Sequence, residues 1–232
     1  MLLLAVAIGA FVAAHFMPFP FLFDTTSATV WRMPRTETPT VYLTFDDGPN
    51  PTATPQLLDV LAQHQVQATF FVIDKHITPE TAPIVRRAFE EGHAVAIHWH
   101  SRELMFKSPT YVASAIQEAA ARMELMTEHQ ACRAFRPHAG HRSIPMIKGA
   151  ANAGFLVVGW SWMAFDFNWF RQRNADDLVP RLTRIASPGD IVVIHDGHHK
   201  DSRADRRYAV ETVDRLIPEL RKRGFAFGTI CP

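Results

Sequence analysis

Short apolar runs of strand length alternate in a steady order with longer, helix-like stretches from residue 41 to the end of the chain. The predicted strands are residues 41–45, 68–73, 94–98, 134–136, 156–160, 191–195 and 225–229. The predicted helices lie between them, at residues 55–64, 79–90, 110–129, 144–153, 175–185 and 208–223. This alternation is typical of a parallel sheet wrapped by helices.

The length of the chain limits the number of strands. The alternating region covers roughly 190 residues, whereas a complete eightfold barrel of strands and helices takes about 250. The 232 residues suffice for one sizeable core, and no shift in composition indicates a second domain. We therefore predict an α/β fold, a distorted or incomplete (β/α) barrel with about seven parallel strands, over residues 41–232.

A different kind of segment precedes the first strand. Residues 2–14 carry no polar side chain, and the apolar run continues to Phe23, interrupted only by His15. Such a run predicts a signal sequence or membrane anchor at residues 1–23, followed by a linker at residues 24–40. Because no Lys or Arg precedes it, a start further upstream and an uncleaved anchor both stay open. Two prolines disfavour a third alternative, an extra helix packed on the domain. We expect a cell-envelope protein, exported or attached to the membrane through this segment.

Charge and cysteine content narrow the possible functions. The formal net charge is +1 and no block of basic residues stands out, so we expect no nucleic-acid partner. Cys132 and Cys231 do not have the spacing of a metal site. One precedes a predicted strand and the other follows a different strand, which places them at opposite ends of the barrel. We therefore expect no disulfide.

Polar side chains with catalytic potential fall where the predicted strands end. In chain order they are Asp46, Asp47, His98, Arg136, Asp166 and His195. Because the carboxyl ends of parallel strands share one rim of a barrel, we expect these side chains to surround one site. Side chains without a common function would be scattered between the two rims.

The first strand ends in Thr44-Phe45-Asp46-Asp47-Gly48-Pro49, two adjacent carboxylates followed by a sharp turn. Adjacent side chains on an extended strand point in opposite directions, but a turn at the strand end can direct both toward one pocket. One carboxylate could then bind a metal ion and the other act as a base. For this turn alone a solvated surface loop is the better interpretation, and the partners at the other strand ends favour a site.

Four motifs together resemble those of polysaccharide deacetylases of the NodB-homology type, carbohydrate esterase family 4. The segment Thr44 to Pro49 matches the first family motif in full. Phe135-Arg136-Pro137 resembles the start of the third motif, Asp166-Phe167 the fourth, and Val193-Ile194-His195 the fifth. The resemblance covers about residues 41–230, and the order and spacing of the motifs make it specific.

This resemblance implies hydrolysis of acetyl groups on sugars, assisted by a divalent metal ion that is usually zinc. Asp47 and His98 would ligate the metal ion. Asp46 would take a proton from the attacking water as general base. Arg136 would hold Asp46 ionised, since a neighbouring cation favours the charged carboxylate.

The resemblance also implies an acid and a substrate groove. His195 would protonate the leaving amine or alcohol, and Asp166 would orient that imidazole. The backbone N–H of Ala139 would stabilise the oxyanion, and Phe167 and Val193 would contact the substrate.

The second motif departs from the family pattern. The family has His-x-x-x-His, in which residues four apart face the same way and share one metal ion. Here the residue four after His98 is Arg102, a permanent cation that offers no lone pair to a metal. His100 or Glu103 could supply a third ligand, extra water could complete the shell around Asp47 and His98, or the metal could have been lost. We favour a surviving site, because the remaining catalytic set has little reason to persist in an inactive one.

The third motif also departs, since it reads His138-Ala139 where a second proline and an aromatic residue are expected. His138 and His141 are candidates to compensate for the missing side chain. Aromatic residues that could stack on sugar rings cluster near two strand ends. They are Trp99, Trp160, Trp162, Phe165, Phe167, Trp169 and Phe170.

The loop after His195 is interpreted as surface. His198 and His199 could touch a substrate but are better explained as surface residues, and the charged run at residues 200–207 as a solvated loop and helix start.

The sequence therefore predicts a metal-dependent deacetylase of an acetylated glycan, with cell-wall or surface polysaccharide as the leading substrate class. One alternative is a glycan-binding relative that has lost its metal and its activity, as the arginine at position 102 would suggest. Another is a deacetylase of small acetyl esters or amides, because the motifs specify the acetyl chemistry and not the polymer.

Overall fold

The computed structural model describes residues 3–9, 28–167 and 173–231. Of the expected signal or anchor, residues 3–9 form a helix (α1) with exposed side chains. Residues 10–23 of that segment, and residues 24–27 of the expected linker, lie outside the described residues. Within the described ranges, no helix has the length and apolar character needed to cross a membrane.

The rest of the described chain alternates strands and helices as the sequence predicts. The strands are β1 (Thr29–Val30), β2 (Thr40–Gly48), β3 (Thr69–Val72), β4 (Ala94–His98), β5 (Ala134–Arg136), β6 (Leu156–Val158), β7 (Ile191–His195) and β8 (Ala226–Phe227). The longer helices are α2 (Ala53–Gln63), α3 (Ala82–Glu90), α4 (Pro109–Thr127), α5 (Ile144–Asn152), α6 (Ala175–Ile185) and α7 (Arg207–Lys222). Short 3₁₀ turns lie at Asp74–His76, Glu103–Phe106 and His138–Gly140.

The strands form one parallel sheet in the order β1-β6-β5-β4-β3-β2-β7, and β8 pairs with the first residues of β2. This confirms the predicted incomplete (β/α) barrel. Strand β1 falls inside the predicted linker and pairs with β6, so the folded domain begins before residue 40. Two residues in a polar segment give too short a periodic pattern to indicate a strand.

Strand β2 lies between β3 and β7 and is buried on both faces. Val41, Leu43 and Phe45 pack between the sheet and the helices, while Tyr42 packs in the interior of the barrel. Because side chains alternate along a strand, Asp46 falls on the same interior face as Tyr42. The alternation of side chains along β2 therefore places the Asp46 carboxylate on the interior face at the carboxyl end of the barrel.

Three helices begin at a side-chain cap that their sequences provide. Ser108, Ser143 and Asn174 accept hydrogen bonds from the N–H groups of Tyr111, Met146 and Asp177. Such caps satisfy backbone donors that a helix start leaves unpaired, and each contributes about 1 kcal/mol. The caps determine the residues at which α4, α5 and α6 begin.

The two cysteines form a disulfide, so the prediction of none is wrong. Their Cα atoms lie 6.1 Å apart. The last strand ends at Phe227 instead of continuing to residue 229, and the chain then crosses the amino-terminal end of the barrel. There the N–H of Ile230 donates to Thr69 Oγ1 at the start of β3. Cys231 therefore meets Cys132, which precedes β5 at that same end.

Candidate active site

The carboxyl ends of the strands surround a pocket of about 240 Å³. Asp46, Asp47, His98 and His195 line it. The two other polar residues predicted at strand ends, Arg136 and Asp166, are fully buried directly behind these side chains. The structure thus brings the six predicted residues together at one rim.

A bulge in β2 lets two consecutive carboxylates reach the pocket. Asp46 is the register partner of His195 on β7. The pairing of β2 with β3 shifts between Asp46 and Gly48, and Asp47 between them has a positive φ of 70°. The extra residue of a bulge interrupts the strict alternation of side chains. The sequence predicted a turn after the strand for this purpose, whereas the structure uses a bulge within it.

The segments that follow β2 and β7 contact each other next to the pocket. Thr54 Oγ1, at the start of α2, donates to the buried Asp196 Oδ2 at 2.5 Å. A side chain at Gly197 would collide with the backbone carbonyl of Asp47. The ends of β2 and β7, which carry Asp47 and His195, are therefore held together by direct packing.

Arg136 holds Asp46 from behind. Its Nη1 donates to Asp46 Oδ1 at 2.5 Å and to Thr44 Oγ1 at 2.8 Å, and its Nη2 donates to the carbonyl of Gly159 at 2.8 Å. The guanidinium also lies over the ring of Phe71, 3.8 Å from its centroid. These contacts place a buried cation directly beside the Asp46 carboxylate and fix its orientation.

Asp166 holds His195 in the same way. Its Oδ1 accepts a hydrogen bond from His195 Nδ1 at 2.7 Å, and its Oδ2 accepts from the His195 backbone N–H at 2.8 Å and from Tyr208 Oη at 2.7 Å. Arg173 Nη1 donates to Tyr208 Oη at 2.9 Å. Burial alone would lower the pKa of His195, but the Asp166 carboxylate raises it to about 9. Burial would raise the pKa of Asp166, but the His195 cation holds it well below its usual range.

Asp47, His98 and His138 form a group that could hold a metal ion, since their ligand atoms lie within 4.8 Å of one another. His98 Nδ1 donates to the carbonyl of Arg136 at 2.9 Å. With this proton on Nδ1, the neutral ring would carry its free lone pair on Nε2, which lies 3.2 Å from Asp47 Oδ1. In the metal-free site burial would lower the pKa of His98, but the Asp46 and Asp47 carboxylates raise it above its usual value. Burial, together with the charges of His98 and His199, lowers the pKa of His138 to about 3, which keeps that imidazole in its neutral, ligating form.

Two atoms of this group are buried without a hydrogen-bond partner, Asp47 Oδ1 and His138 Nδ1. Buried polar atoms are normally paired, and a bound cation would satisfy the carboxylate oxygen. Two imidazoles and one carboxylate are a donor set that zinc and similar divalent ions accept, with further positions open for water or substrate. The residues present therefore fit the divalent ion that the sequence resemblance implies.

The other residues considered as ligands from the sequence lie elsewhere. His100 Nε2 is 3.1 Å from Lys75 Nζ, and Glu103 is an exposed residue at the start of a 3₁₀ turn; neither lines the pocket. Arg102 does line it, with an exposed side chain. An arginine there adds positive charge to the mouth of the pocket without a ligand atom.

A family model described as polysaccharide deacetylase matches residues 34–158, more than half of the chain. The chain belongs to the polysaccharide deacetylase family. A chitooligosaccharide deacetylase from Sinorhizobium fredii is 37% identical to it over 206 residues, which cover 85% of this chain and 94% of that protein. A peptidoglycan-N-acetylglucosamine deacetylase from Bacillus cereus is 31% identical over 208 residues, covering 89% and 93%. The solved structure of the Bc1960 peptidoglycan N-acetylglucosamine deacetylase aligns with a TM-score of 0.73 at 27% identity, covering 88% of this chain and 91% of that one.

The residues that this polysaccharide deacetylase was expected to place against substrate all line the pocket. Ala139 lies in the 3₁₀ turn after β5 with a left-handed φ of 50°, and Val193 lies on β7. Phe167 stacks on Phe165, with ring centroids 3.9 Å apart, and meets Trp160 edge to face.

The predicted aromatic rim is only partly formed. Trp160 and Phe167 line the pocket, whereas Trp99 packs against the helix-side core and Trp162 is exposed to solvent. Trp169 and Phe170 lie outside the described residues.

Sequence reasoning missed several residues in and behind the pocket. Arg206 comes from the charged run that was interpreted as a solvated loop and helix start, yet it lines the pocket, and its Nε donates to the carbonyl of Gly197 at 2.6 Å. Tyr208, the first residue of the predicted helix 208–223, does not line the pocket but donates through Oη to the buried Asp166. His199, assigned to the surface, also lines the pocket, and its ring centroid lies 4.6 Å from that of His138. The position of this segment directly after β7 was the one signal that could have indicated a role.

Proposed function

We propose that this polysaccharide deacetylase is a metal-dependent hydrolase that removes acetyl groups from an N- or O-acetylated polysaccharide, with cell-wall or surface glycan as substrate. One observation carries the proposal: a single pocket holds a carboxylate fixed by a buried cation, an imidazole fixed by a buried anion, and a group of metal ligands. The names of the relatives, which are deacetylases of chitooligosaccharides and peptidoglycan, support the same substrate class.

Asp47 and His98 hold the metal ion in this proposal. A divalent ion held there, usually zinc, would polarise the acetyl carbonyl and lower the pKa of water beside it. The fixed tautomer of His98 supports this role, because its Nδ1 proton is committed to the Arg136 carbonyl.

Asp46 is the general base. It accepts the proton of the water that attacks the acetyl carbon, and the ion pair with Arg136 holds it in position to do so. The same ion pair prevents Asp46 from turning away, since both Arg136 and its other partners are buried. The carboxylate is therefore pre-organised for proton transfer and needs no rearrangement.

His195 is the general acid. With its pKa raised to about 9, the ring is protonated at neutral pH and can give a proton to the departing amine or alcohol oxygen. Its Nδ1 proton is held by Asp166, so Nε2 is the atom that delivers the proton. Tyr208 and Arg173 fix Asp166 in turn.

The remaining pocket residues bind the sugar and the developing negative charge. The backbone N–H of Ala139 would stabilise the oxyanion of the tetrahedral intermediate. Trp160 and Phe167 present rings on which the apolar face of a sugar can stack, and Val193 on β7 also lines the pocket.

The protein acts, in our proposal, outside the cytoplasm. The Cys132–Cys231 disulfide supports this location, because disulfides persist mainly in oxidising compartments. We retain residues 1–23 as the proposed signal or membrane anchor. The deacetylase domain then comprises the remaining chain from strand β1 onward.

Metal analysis and acetate release test the function. Purified protein is assayed for bound metal, then for acetate released from chitooligosaccharides, peptidoglycan and an aryl acetate, with and without added zinc or cobalt. We expect metal-dependent release from at least one glycan and no release by Asp46→Asn. Absence of bound metal together with absence of acetate from every substrate would sink the proposal and leave a glycan-binding protein. Release from the aryl acetate alone would instead indicate a small-molecule esterase.

A further inference from the structure

His138 lies where the family motif has a second proline, and position 102 lacks the histidine of the second motif. The two departures occur in one pocket. We propose that His138 is the third protein ligand of the metal ion and replaces the ligand that Arg102 cannot supply. This inference rests on the proposed metal dependence and concerns which residue completes the site.

The backbone holds His138 beside His98. The carbonyl of Arg136, at the end of β5, accepts both the His98 Nδ1 proton at 2.9 Å and the backbone N–H of Trp99 at 3.0 Å. His138 is two residues further along the same chain segment. Because β4 and β5 are joined by hydrogen bonds at this point, the turn that carries His138 cannot move away from His98 without breaking them.

The rings of His98 and His138 are placed to bind one metal ion and do not stack on each other. The ring centroids of His98 and His138 are 6.4 Å apart with their planes tilted by 37°. Their ligating atoms and the Asp47 carboxylate nevertheless approach within 4.8 Å of one another. Three donors that converge from three different strand ends are the usual arrangement of a catalytic zinc site with an open position.

Left-handed backbone at Ala139 contributes to this placement. Ala139 has φ 50° and ψ 24°, a conformation that alanine seldom adopts, inside the turn His138–Gly140. Pro137 before the turn is extended. A residue is held in such a conformation when its surroundings require it, which is consistent with a turn after β5 that has one fixed path.

No other described candidate combines burial, an unpaired atom and closeness to the other two ligands. His138 Nδ1 and Asp47 Oδ1 are both buried and unpartnered. His100 is bonded to Lys75 and lies outside the pocket. His199 touches the ring of His138 but does not belong to the group of converging ligand atoms. His199 is therefore a packing neighbour of the proposed ligand.

Cobalt titration of the metal-free protein tests the inference without relying on activity. Wild type should bind one Co²⁺ per chain with visible absorption typical of nitrogen and oxygen ligands. His138→Ala should weaken Co²⁺ binding by about 100-fold or more, beyond the 10–100-fold loss typical of outer-shell partners. His100→Ala is the matched control and should bind Co²⁺ as wild type does. Circular dichroism and thermal unfolding in chelator establish that both variants are folded.

A second variant gives a positive signal even where the alanine variant is unstable. In His138→Cys a thiolate would replace the imidazole, and Co²⁺ bound by it should show a near-ultraviolet sulfur-to-metal charge-transfer band. His100→Cys should show none. The inference is overturned if His138→Ala binds Co²⁺ like wild type, if His100→Ala loses the metal instead, or if folded His138→Cys lacks the band. Failure of the proposed function is a separate result, in which wild type itself neither binds metal nor releases acetate.

Discussion

Asp46 and His195 are register partners on the neighbouring strands β2 and β7, and each is held from behind by a buried group of opposite charge. Arg136 places a cation 2.5 Å from the Asp46 carboxylate, and Asp166 raises the pKa of His195 to about 9. The proposed base and the proposed acid, which is protonated at neutral pH, therefore lie side by side. Hydrolysis of an acetyl group requires this combination, because water must lose a proton while the leaving group gains one.

Replacing Asp166 should move the alkaline limit of activity. Asp166→Asn removes the charge that raises the pKa of His195 to about 9, so that pKa should fall toward or below its ordinary value of 6.5. The acid form would then be lost at lower pH, and the alkaline limb of the kcat/KM profile should shift down. At pH 8 we expect a loss of roughly 10²-fold to 10⁴-fold, the usual contribution of a general acid. Asp176→Asn, an exposed aspartate paired with Arg215, is the matched control and should leave the profile unchanged. An unshifted alkaline limb in Asp166→Asn would exclude His195 as the titrating acid.

Removing the guanidinium of Arg136 should destabilise the fold. Arg136→Gln leaves the buried Asp46 carboxylate without its ion-pair partner, which typically costs about 3–5 kcal/mol. The double variant Arg136→Gln/Asp46→Asn should recover part of this loss, because no uncompensated charge remains. Urea unfolding of the single and double variants measures both effects. Arg215→Gln, at an exposed ion pair, should change the free energy of unfolding little. A double variant less stable than Arg136→Gln alone would contradict the ion-pair explanation.

The architecture and the position of the site followed from the sequence because they depend on local patterns. Strands β4, β5 and β7 are buried apolar runs, so the position of each strand can be predicted from where its apolar run begins and ends. Asp46, His98 and His195 lie at the carboxyl ends of β2, β4 and β7, so their placement at one rim of the barrel could be predicted. The bulge at Asp47 could not be predicted, because its positive φ depends on the loop that packs against it.

Features that depend on tertiary contacts could not be predicted. The disulfide requires the chain after β8 to cross the end of the barrel, and nothing in the spacing of Cys132 and Cys231 encodes that path. Tyr208 meets Asp166 across 42 residues of sequence, through a hydroxyl at the start of a helix that the local sequence gives no reason to single out. The grouping of His138 with the other ligands depends on how the turn after β5 meets the end of β4.

Acid should destabilise the fold through His93, which lies outside the active site. The ring is buried, its Nδ1 accepts the N–H of Ala68 at 3.1 Å, and burial lowers its pKa to about 4. The unfolded chain takes up a proton near pH 6.5, whereas the folded chain resists protonation until about pH 4. This contribution to stability is therefore complete above pH 6.5 and is lost as the pH falls, by about 2 kcal/mol between pH 7.5 and 5. Urea unfolding at both pH values measures it. His93→Gln keeps an acceptor for Ala68 and should lose stability less steeply over this interval, and an equal slope in the two proteins would contradict the assignment.

Removing the disulfide should lower stability and spare activity. Cys132 and Cys231 are separated by 99 positions in sequence, and a cross-link that closes a long loop contributes about 2–4 kcal/mol. The double variant Cys132→Ser/Cys231→Ser should therefore unfold at a lower temperature than the oxidised wild type. Added reductant should lower the unfolding temperature of wild type but not of the variant. Because the bond lies at the amino-terminal end of the barrel, opposite the pocket, kcat/KM at 25 °C should be unchanged. A large loss of activity in the folded variant would show that the C-terminal segment also supports the catalytic end.

A histidine at position 102 should substitute for His138. Arg102 lines the same pocket as Asp47 and His98, so His138→Ala/Arg102→His would restore a third imidazole at the place where the family pattern has one. Compared with His138→Ala, this double variant should bind Co²⁺ at least about tenfold more tightly, since an imidazole ligand replaces water. The matched control is His138→Ala/Arg102→Gln, which removes the same positive charge without adding an imidazole. If both double variants recover affinity equally, the loss of a cation near the metal is the cause, and ligand exchange between positions 102 and 138 is refuted. Recovery confined to the histidine variant would show that the two departures from the family pattern compensate each other.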